Sequence, residues 1–124
     1  DEVLLLISRV LRSSFRTDDR LYRFGGEEFV VLMRCGTEAH AAHALQRLCS
    51  NVRQYPFPRV GTITVSVGFT EIQPGDTPHL AFERADRALF HAKNNGRDLV
   101  NSYAELLAAG QAGARDSSDN MECV

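Results

Sequence analysis

Hydrophobic residues recur every three or four positions in three segments of the chain, and this spacing predicts three amphipathic helices. The first covers residues 1–15, the second follows Thr37, and the third starts at Thr77 and Pro78. Threonine is a good N-terminal cap, and proline suits the first helical turn. Gly96 is well placed to end the third helix. No capping signal precedes the first helix, so the chain is expected to begin inside it.

Shorter apolar stretches between these helices predict strands. Residues 21–24 and 29–33 flank a pair of glycines, Gly25 and Gly26, which is typical of a hairpin turn. The second of these stretches is an unbroken apolar run, typical of a strand covered on both faces. Residues 60–70 alternate between large apolar and small or polar side chains, which predicts a strand with one packed face. Together these elements predict an α/β domain.

Composition and charge narrow the function classes. The 124 residues are 44% hydrophobic and 24% charged, enough to build one domain with a real core. The formal net charge of -2 gives no positive field, which argues against a protein that coats DNA or RNA. No apolar run approaches the length of a membrane span.

The three cysteines and the last residues add two expectations. Cys35, Cys49 and Cys123 are odd in number and fit neither a zinc site nor a disulfide framework, so we expect free thiols and a cytoplasmic location. Residues 104–124 turn to alanine, glycine, serine and acids, which predicts a frayed helix followed by a disordered tail.

The segment at residues 23–29, RFGGEEF, is the strongest candidate for chemistry. The two glycines remove side-chain bulk, so a ligand can approach the backbone closely. Glu27 and Glu28 follow at once and can bind a divalent cation together with phosphate oxygens. Successive strand residues point to opposite faces, so the two acids are expected to have different roles. The alternative is a plain Gly-Gly turn with two solvated acids.

Two further sets of charged residues have alternative interpretations. An arginine and an acid three residues apart, Arg16 and Asp19, can together bind the hydrogen-bonding edge of a guanine base. Alternatively they form an exposed ion pair of little energetic value. Lys93 and Arg97 carry positive charges that suit phosphates. Alternatively, Lys93 only interacts favourably with the dipole at a helix C-terminus.

Four motifs in one order carry a family resemblance. They are RTDD at residues 16–19, RFGGEEF at residues 23–29, ITVSVG at residues 63–68 and ADRALFHAKNNGR at residues 85–97. They resemble, in turn, the RxxD site, the signature hairpin, a T-x-S-x-G strand and a helix end of the GGDEF-domain diguanylate cyclases, here in the GGEEF form. The resemblance spans about the first hundred residues.

The resemblance implies a fold and a reaction. The fold is that of nucleotidyl cyclases and polymerase palms, a mostly antiparallel central sheet flanked by helices. Enzymes of this family condense two GTP molecules into cyclic di-GMP and pyrophosphate, using Mg²⁺ or Mn²⁺. One GTP is bound by each of two facing domains, so a homodimer is implied. An upstream sensor or receiver domain is implied as well.

The resemblance also implies roles for particular residues. Glu27 would be a metal ligand and the base, and Glu28 would assist at the metal and the phosphate. Gly25 and Gly26 would let the backbone approach the substrate. In addition, Lys93 and Arg97 match the family's triphosphate-binding pair.

A separate product site is implied by the RxxD motif. In the family this site binds cyclic di-GMP and inhibits the enzyme, and here it would use Arg16 and Asp19. Arg47, on the next helix, lies where the family often has a second basic contact, so we include it in the expected site.

One part of the family pattern does not occur in these 124 residues. Family members begin with a central strand that carries a metal-binding aspartate, followed by the residues that bind guanine. We therefore expect residues 1–103 to be an N-terminally incomplete GGDEF-type domain that does not cyclise GTP alone. One alternative is an inactive GGEEF domain that senses GTP or cyclic di-GMP. Another is a structural hairpin domain that matches by accident.

Overall fold

A computed structural model describes residues 2–16, 18–25, 28–34 and 36–110. They form two compact units, the first ending at Val65 and the second beginning at Ser66. In chain order the elements are α1 (Glu2–Ser14), β1 (Arg20–Gly25), β2 (Glu28–Leu32), α2 (Glu38–Gln54), β3 (Val67–Phe69), α3 (Pro78–Asn94), β4 (Val100–Ser102) and α4 (Tyr103–Ala108).

The core of the first unit lies between α1 and α2. Thr37 caps α2 as predicted, because its side chain accepts a hydrogen bond from the His40 amide at 3.1 Å. The Asn51 side chain of α2 donates to the Ser14 hydroxyl at 3.4 Å and ties the helix to the end of α1. The buried apolar side chains of this unit are Val10, Leu11, Leu45, Leu48, Cys49, Val52 and Phe57.

The predicted hairpin is present, with β1 antiparallel to β2. The prediction that its second strand is covered on both faces is wrong, because Leu32 is 45% exposed. On β1, the rings of Tyr22 and Phe24 are exposed as well. Among the described residues β2 pairs only with β1, so an apolar strand here does not imply burial.

In the second unit, α3 packs against a small parallel sheet of β3 and β4 and against α4. Thr77 caps α3 and Pro78 is its first residue, as predicted. Ser102 caps α4, and Leu106 of that helix is buried with Ala88 of α3. The predicted tail from residue 111 onward lies outside the described residues and stays a prediction.

The predicted strand at residues 60–70 is mostly wrong. Only Val67–Phe69 joins a ladder, where it pairs with β4. Before it, the chain makes a single antiparallel bridge between Phe57 and Gly61. Alternation of side chains does not make a strand without a hydrogen-bonded neighbour, and that neighbour is remote in sequence.

The predicted class of mixed helices and strands is confirmed. Within the described residues, however, the strands form two two-stranded sheets, one antiparallel and one parallel. No helix in this part of the chain is both long enough and apolar enough to cross a membrane.

Candidate functional site

The hairpin presents one of the two predicted acids beside a glycine. Glu28 opens β2 and lies opposite Gly25 of β1, where the register shifts after Arg23. Its side chain is half-buried. Since Gly25 has no side chain, the Glu28 carboxylate has no bulky neighbour at the opposite strand position. Gly26 and Glu27 lie outside the described residues, so their roles stay predictions.

The described residues of the hairpin include one carboxylate suited to a divalent cation, that of Glu28. Within residues 2–16, 18–25, 28–34 and 36–110, no three His, Cys, Asp or Glu side chains are grouped to hold a metal ion. Mg²⁺ is typically bound by one or two carboxylates together with waters and substrate phosphates. The Glu28 carboxylate therefore fits as one oxygen ligand of such a site.

Asp19, predicted to bind product, is buried and held by backbone amides. It is 6% exposed, and its two oxygens accept hydrogen bonds from the amides of Arg16 at 2.9 Å and Arg34 at 3.1 Å. Asp19 thus ties the loop after α1 to the chain that follows β2. Because it is buried, it does not fit the alternative of an exposed ion pair with Arg16. Each carboxylate oxygen can accept more than one hydrogen bond, so a ligand donor can still be added.

A cavity of about 590 Å³ lies beside Asp19 in the first unit. Among the described residues, three arginines and two aspartates line it, so the charge of this part favours an anionic ligand. Its lining residues are Arg12, Asp18, Asp19, Arg20, Leu21, Tyr22, Leu32, Met33 and Arg34. Arg16 and Arg47 are not among them.

Arg47 and Arg16 are carried by elements that meet. Arg47 is exposed on α2, one helical turn before Asn51. Asn51 in turn contacts Ser14, the last residue of α1, and the exposed Arg16 follows two residues later. Both predicted arginines thus lie near the contact between α1 and α2, Arg16 two residues after the end of α1 and Arg47 near the middle of α2.

The two predicted phosphate ligands lie at the end of α3 in the second unit. Lys93 is in the last turn of the helix, and both it and Arg97 are exposed. After the helix the backbone adopts positive φ at Gly96 (110°), Arg97 (59°) and Asp98 (52°). The cations therefore stand on a helix terminus and on an unusual turn directly after it.

Ser66 and Gly68 of the ITVSVG segment have separate roles here: Ser66 bonds to this turn, and Gly68 sets β3 against the middle of α3. The Asp98 amide donates to the Ser66 hydroxyl at 3.0 Å. At Gly68, a Cβ atom would come within 2.1 Å of the Leu89 backbone nitrogen and 2.4 Å of the Ala85 carbonyl oxygen. A glycine within an alternating strand signals such a close backbone approach, and that signal was present in the sequence.

A further interaction holds the loop between β3 and α3. The Arg84 guanidinium forms an ion pair with Asp76 and donates to the Thr70 hydroxyl at 3.2 Å and the Glu71 carbonyl at 3.2 Å. The hydrogen bond from Arg84, aided by the Gln73 amide, lowers the pKa of Asp76, and the same pairing raises the pKa of Arg84. This network was not predicted, because its partners are spread over a long loop.

Comparisons with known proteins give the family. Residues 1–99 match the sequence model of a family described as "Diguanylate cyclase, GGDEF domain". Diguanylate cyclase DgcP of Pseudomonas aeruginosa is 41% identical over 103 residues, which is 81% of this chain and 15% of that protein. Diguanylate cyclase DgcM of Escherichia coli is 34% identical over 100 residues, covering 81% of this chain and 24% of its own length. The chain thus spans less than a third of these curated relatives.

Solved structures agree with the sequence match. The GGDEF domain of DgcB from Caulobacter crescentus, determined in complex with c-di-GMP, has a TM-score of 0.77 and 30% identity, covering 83% of this chain and 64% of that one. The active GGEEF domain of a diguanylate cyclase from Vibrio cholerae has a TM-score of 0.73 and 28% identity, covering 83% and 67%. Because the family match covers residues 1–99 of 124, this chain belongs to the GGDEF-domain family of diguanylate cyclases.

Proposed function

We propose that this chain is the catalytic part of a diguanylate cyclase, which condenses two GTP molecules into cyclic di-GMP. The observation that carries the proposal is the Glu28 carboxylate beside Gly25 at the hairpin of a chain that matches the family over residues 1–99. The cations Lys93 and Arg97 on the exposed end of α3 give it independent support.

The reaction makes one phosphodiester bond at a time. The 3′-oxygen of one GTP attacks the α-phosphorus of the other, the bond from that phosphorus to the pyrophosphate oxygen breaks, and pyrophosphate leaves. The hydroxyl proton passes to Glu27, which we assign as the base. A second such step closes the ring. Two copies of the domain each bring one GTP, so the working form is a homodimer.

Charge neutralisation is the main task of the protein in such a step. A divalent ion, Mg²⁺ or Mn²⁺, offsets the negative charge of the phosphates when it is bound. Glu27 and Glu28 would hold it through carboxylate oxygens. Gly25 and Gly26 let the nucleotide approach the hairpin backbone, because neither carries a side chain.

Lys93 and Arg97 bind the β- and γ-phosphates in this proposal. A lysine acts as a point charge, and an arginine can donate two parallel hydrogen bonds to phosphate oxygens. Since both groups are exposed at the helix end, they are free to reach a nucleotide without unfolding the helix. They therefore orient the leaving pyrophosphate.

Substitution Glu28→Gln tests the hairpin assignment. It keeps the size of the side chain and removes the charge, so turnover of GTP should fall at least about a hundredfold. Cyclic di-GMP and pyrophosphate would be measured by liquid chromatography and mass spectrometry, on protein of the length that the cell makes. Glu71→Gln is the matched control, because Glu71 is an exposed acid in the other unit.

Wild-type turnover in Glu28→Gln would contradict the assignment of Glu28. A wild-type protein that binds GTP but forms no cyclic di-GMP would contradict the cyclase itself. Such a result would favour a domain that senses guanine nucleotides.

We further propose that Arg16, Asp19 and Arg47 bind cyclic di-GMP and inhibit the enzyme. A guanidinium can donate two hydrogen bonds to guanine O6 and N7, and a carboxylate can accept from the guanine amines. The backbone amide of Arg16 donates to Asp19, which lines a cavity whose charge favours an anion, and Asp19 has acceptor capacity left. Arg16 and Asp19 would thus bind the guanine base, and Arg47 would add a second basic contact.

Replacement Arg16→Ala should weaken binding of cyclic di-GMP about tenfold or more and leave initial turnover of GTP unchanged. Isothermal titration with cyclic di-GMP measures the first effect, and the initial rate measures the second. Arg9→Ala, an exposed arginine of α1, serves as the control. Equal affinity for cyclic di-GMP in wild type and Arg16→Ala would rule out the assignment.

A further inference from the structure

We infer that Ser66 is a positioning residue for the triphosphate, because its hydroxyl fixes the backbone turn that carries Arg97. The inference rests on the proposed phosphate-binding role of Arg97 and adds a residue that does not itself touch the nucleotide. It concerns only the second unit, which contains Ser66, α3 and the turn.

The turn after α3 is one that the chain does not adopt on its own. Arg97 and Asp98 both have positive φ, at 59° and 52°, directly after Gly96 at 110°. Side chains other than glycine rarely occupy this left-handed region, and two in succession are rarer still. Such a conformation persists only where surrounding interactions determine it.

Two hydrogen bonds supply that determination, one on each side of the Arg97 Cα atom. On the N-terminal side, the Arg97 amide donates to the Ala92 carbonyl of α3 at 3.0 Å. On the C-terminal side, the Asp98 amide donates to the Ser66 hydroxyl at 3.0 Å. With both flanking peptide units held, the direction of the Arg97 Cα–Cβ bond is fixed.

Ser66 is itself held in place by the sheet. The next amide along the chain, that of Val67, donates to the Leu99 carbonyl at 2.8 Å, and Val67 then pairs with Val100 in the parallel ladder. Gly68 brings the same strand into direct contact with the backbone of α3. The Ser66 hydroxyl is therefore at a set distance from the helix that carries Lys93.

As a consequence, the strand segment and the helix together fix the direction of the Arg97 side chain. Ala92 belongs to α3 and Ser66 to the segment directly before β3, so the turn that carries Arg97 is bonded to both elements. Loss of the Ser66 hydroxyl would remove its hydrogen bond to the Asp98 amide and loosen the C-terminal side of Arg97. The guanidinium would then sample several directions, and ordering it on a phosphate would cost more conformational entropy.

The test is a set of binding measurements with GTP and GMP in Mg²⁺ on Ser66→Ala, compared with the wild-type protein. GTP carries the β- and γ-phosphates that Arg97 would bind, and GMP lacks them. We expect affinity for GTP to fall about fivefold and affinity for GMP to change less than twofold. Amide hydrogen exchange at Asp98, followed by NMR, should speed up at least tenfold in the same variant.

Three further variants keep the test specific. Ser66→Thr retains the hydroxyl and should bind GTP within twofold of the wild type. Ser66→Cys keeps the size of the side chain but has only a weak acceptor. It should therefore also weaken GTP binding about fivefold, and it replaces Ser66→Ala as the test if the alanine variant folds poorly. Ser102→Ala removes another serine that accepts a backbone amide in the same unit, and it should leave GTP affinity unchanged.

The double variant Ser66→Ala/Arg97→Ala distinguishes positioning by Ser66 from phosphate binding by Arg97. It should bind GTP no more weakly than Arg97→Ala alone, because Ser66 acts through Arg97. If Arg97→Ala weakens GTP but Ser66→Ala does not, the positioning role is overturned and the phosphate role of Arg97 stands. If Arg97→Ala leaves GTP affinity unchanged, the phosphate role fails, and the inference fails with it.

Discussion

The two units of the chain carry their candidate site residues on elements that are packed to very different extents. In the first unit, Glu28 stands on a two-stranded hairpin whose large side chains Tyr22, Phe24 and Leu32 are exposed. In the second, Lys93 stands at the end of a helix that touches its neighbouring strand backbone to backbone at Gly68. The acid thus depends on a local register, and the cations depend on long-range packing.

This difference separates two ways of positioning a reactive group. A hairpin places its residues through pairing between near neighbours in the sequence, so a change in one side chain stays local. A helix packed on a strand transmits a change at the contact to the whole helix, since packed elements do not deform continuously. Substitutions at the strand contact should therefore affect the proposed phosphate ligands, Lys93 and Arg97, more than equal substitutions near the hairpin.

The largest effect is expected from Gly68→Ala. The added methyl group would come within 2.1 Å of the Leu89 nitrogen, which belongs to rigid helix backbone, so α3 has to move. We expect a loss of about 3 kcal/mol or more in the free energy of unfolding, the upper end of the range for overpacked cores. Chemical denaturation followed by circular dichroism measures it.

Gly36→Ala is the matched control in the first unit. The nearest atom to its new methyl group would be His40 Nδ1 at 3.7 Å, an ordinary contact. The change should stay within about 0.5 kcal/mol of the wild type. Equal stability of the two alanine variants would show that β3 and α3 are not in backbone contact, and the comparison between the units would collapse.

Local chemistry explains what the sequence could predict. The caps Thr37 and Thr77 lie beside the amides that they bind, and the hairpin follows from adjacent glycines, so short stretches of sequence contain the whole interaction. Four motifs in order were enough for the family, which the match over residues 1–99 confirms.

Interactions between distant residues explain what the sequence could not predict. Ser66 meets Asp98 across 32 positions, and the contact depends on the parallel register of β3 and β4. The buried Asp19 accepts a hydrogen bond from the amide of Arg34, 15 positions later. For the same reason the strand at residues 60–70 was predicted too long, because side-chain alternation does not reveal which residues find a partner.

A smaller effect is expected at the loop that precedes α3, where Arg84 lowers the pKa of Asp76 through their hydrogen bond. Since the folded-state pKa lies below the unfolded one, the stabilisation is fully present above about pH 4 and is lost as the pH falls through the folded value. Asp76→Asn should therefore be less stable than the wild type at pH 7, and the difference should shrink below about pH 4. Thermal melts between pH 2 and 7 measure it.

Arg84→Met provides the control for this prediction. In the Asp76→Asn background it should cost less than it does in the wild type, because the ion pair is already lost and only the hydrogen bonds of Arg84 to Thr70 and Glu71 remain to be removed. A stability difference between wild type and Asp76→Asn that persists unchanged to pH 2 would show that the pair does not tie this loop to the helix. The second unit would then owe its order to the contact at Gly68 rather than to the loop.

The most direct test of the central claim is one product analysis on wild-type protein, in the length that the cell makes, incubated with equal GTP and ATP in Mg²⁺. Liquid chromatography with mass spectrometry would identify every nucleotide formed. If the chain is the catalytic part of a diguanylate cyclase, cyclic di-GMP and pyrophosphate accumulate and ATP is recovered intact. A folded protein that yields no cyclic di-GMP, or that converts ATP as readily as GTP, would contradict the account.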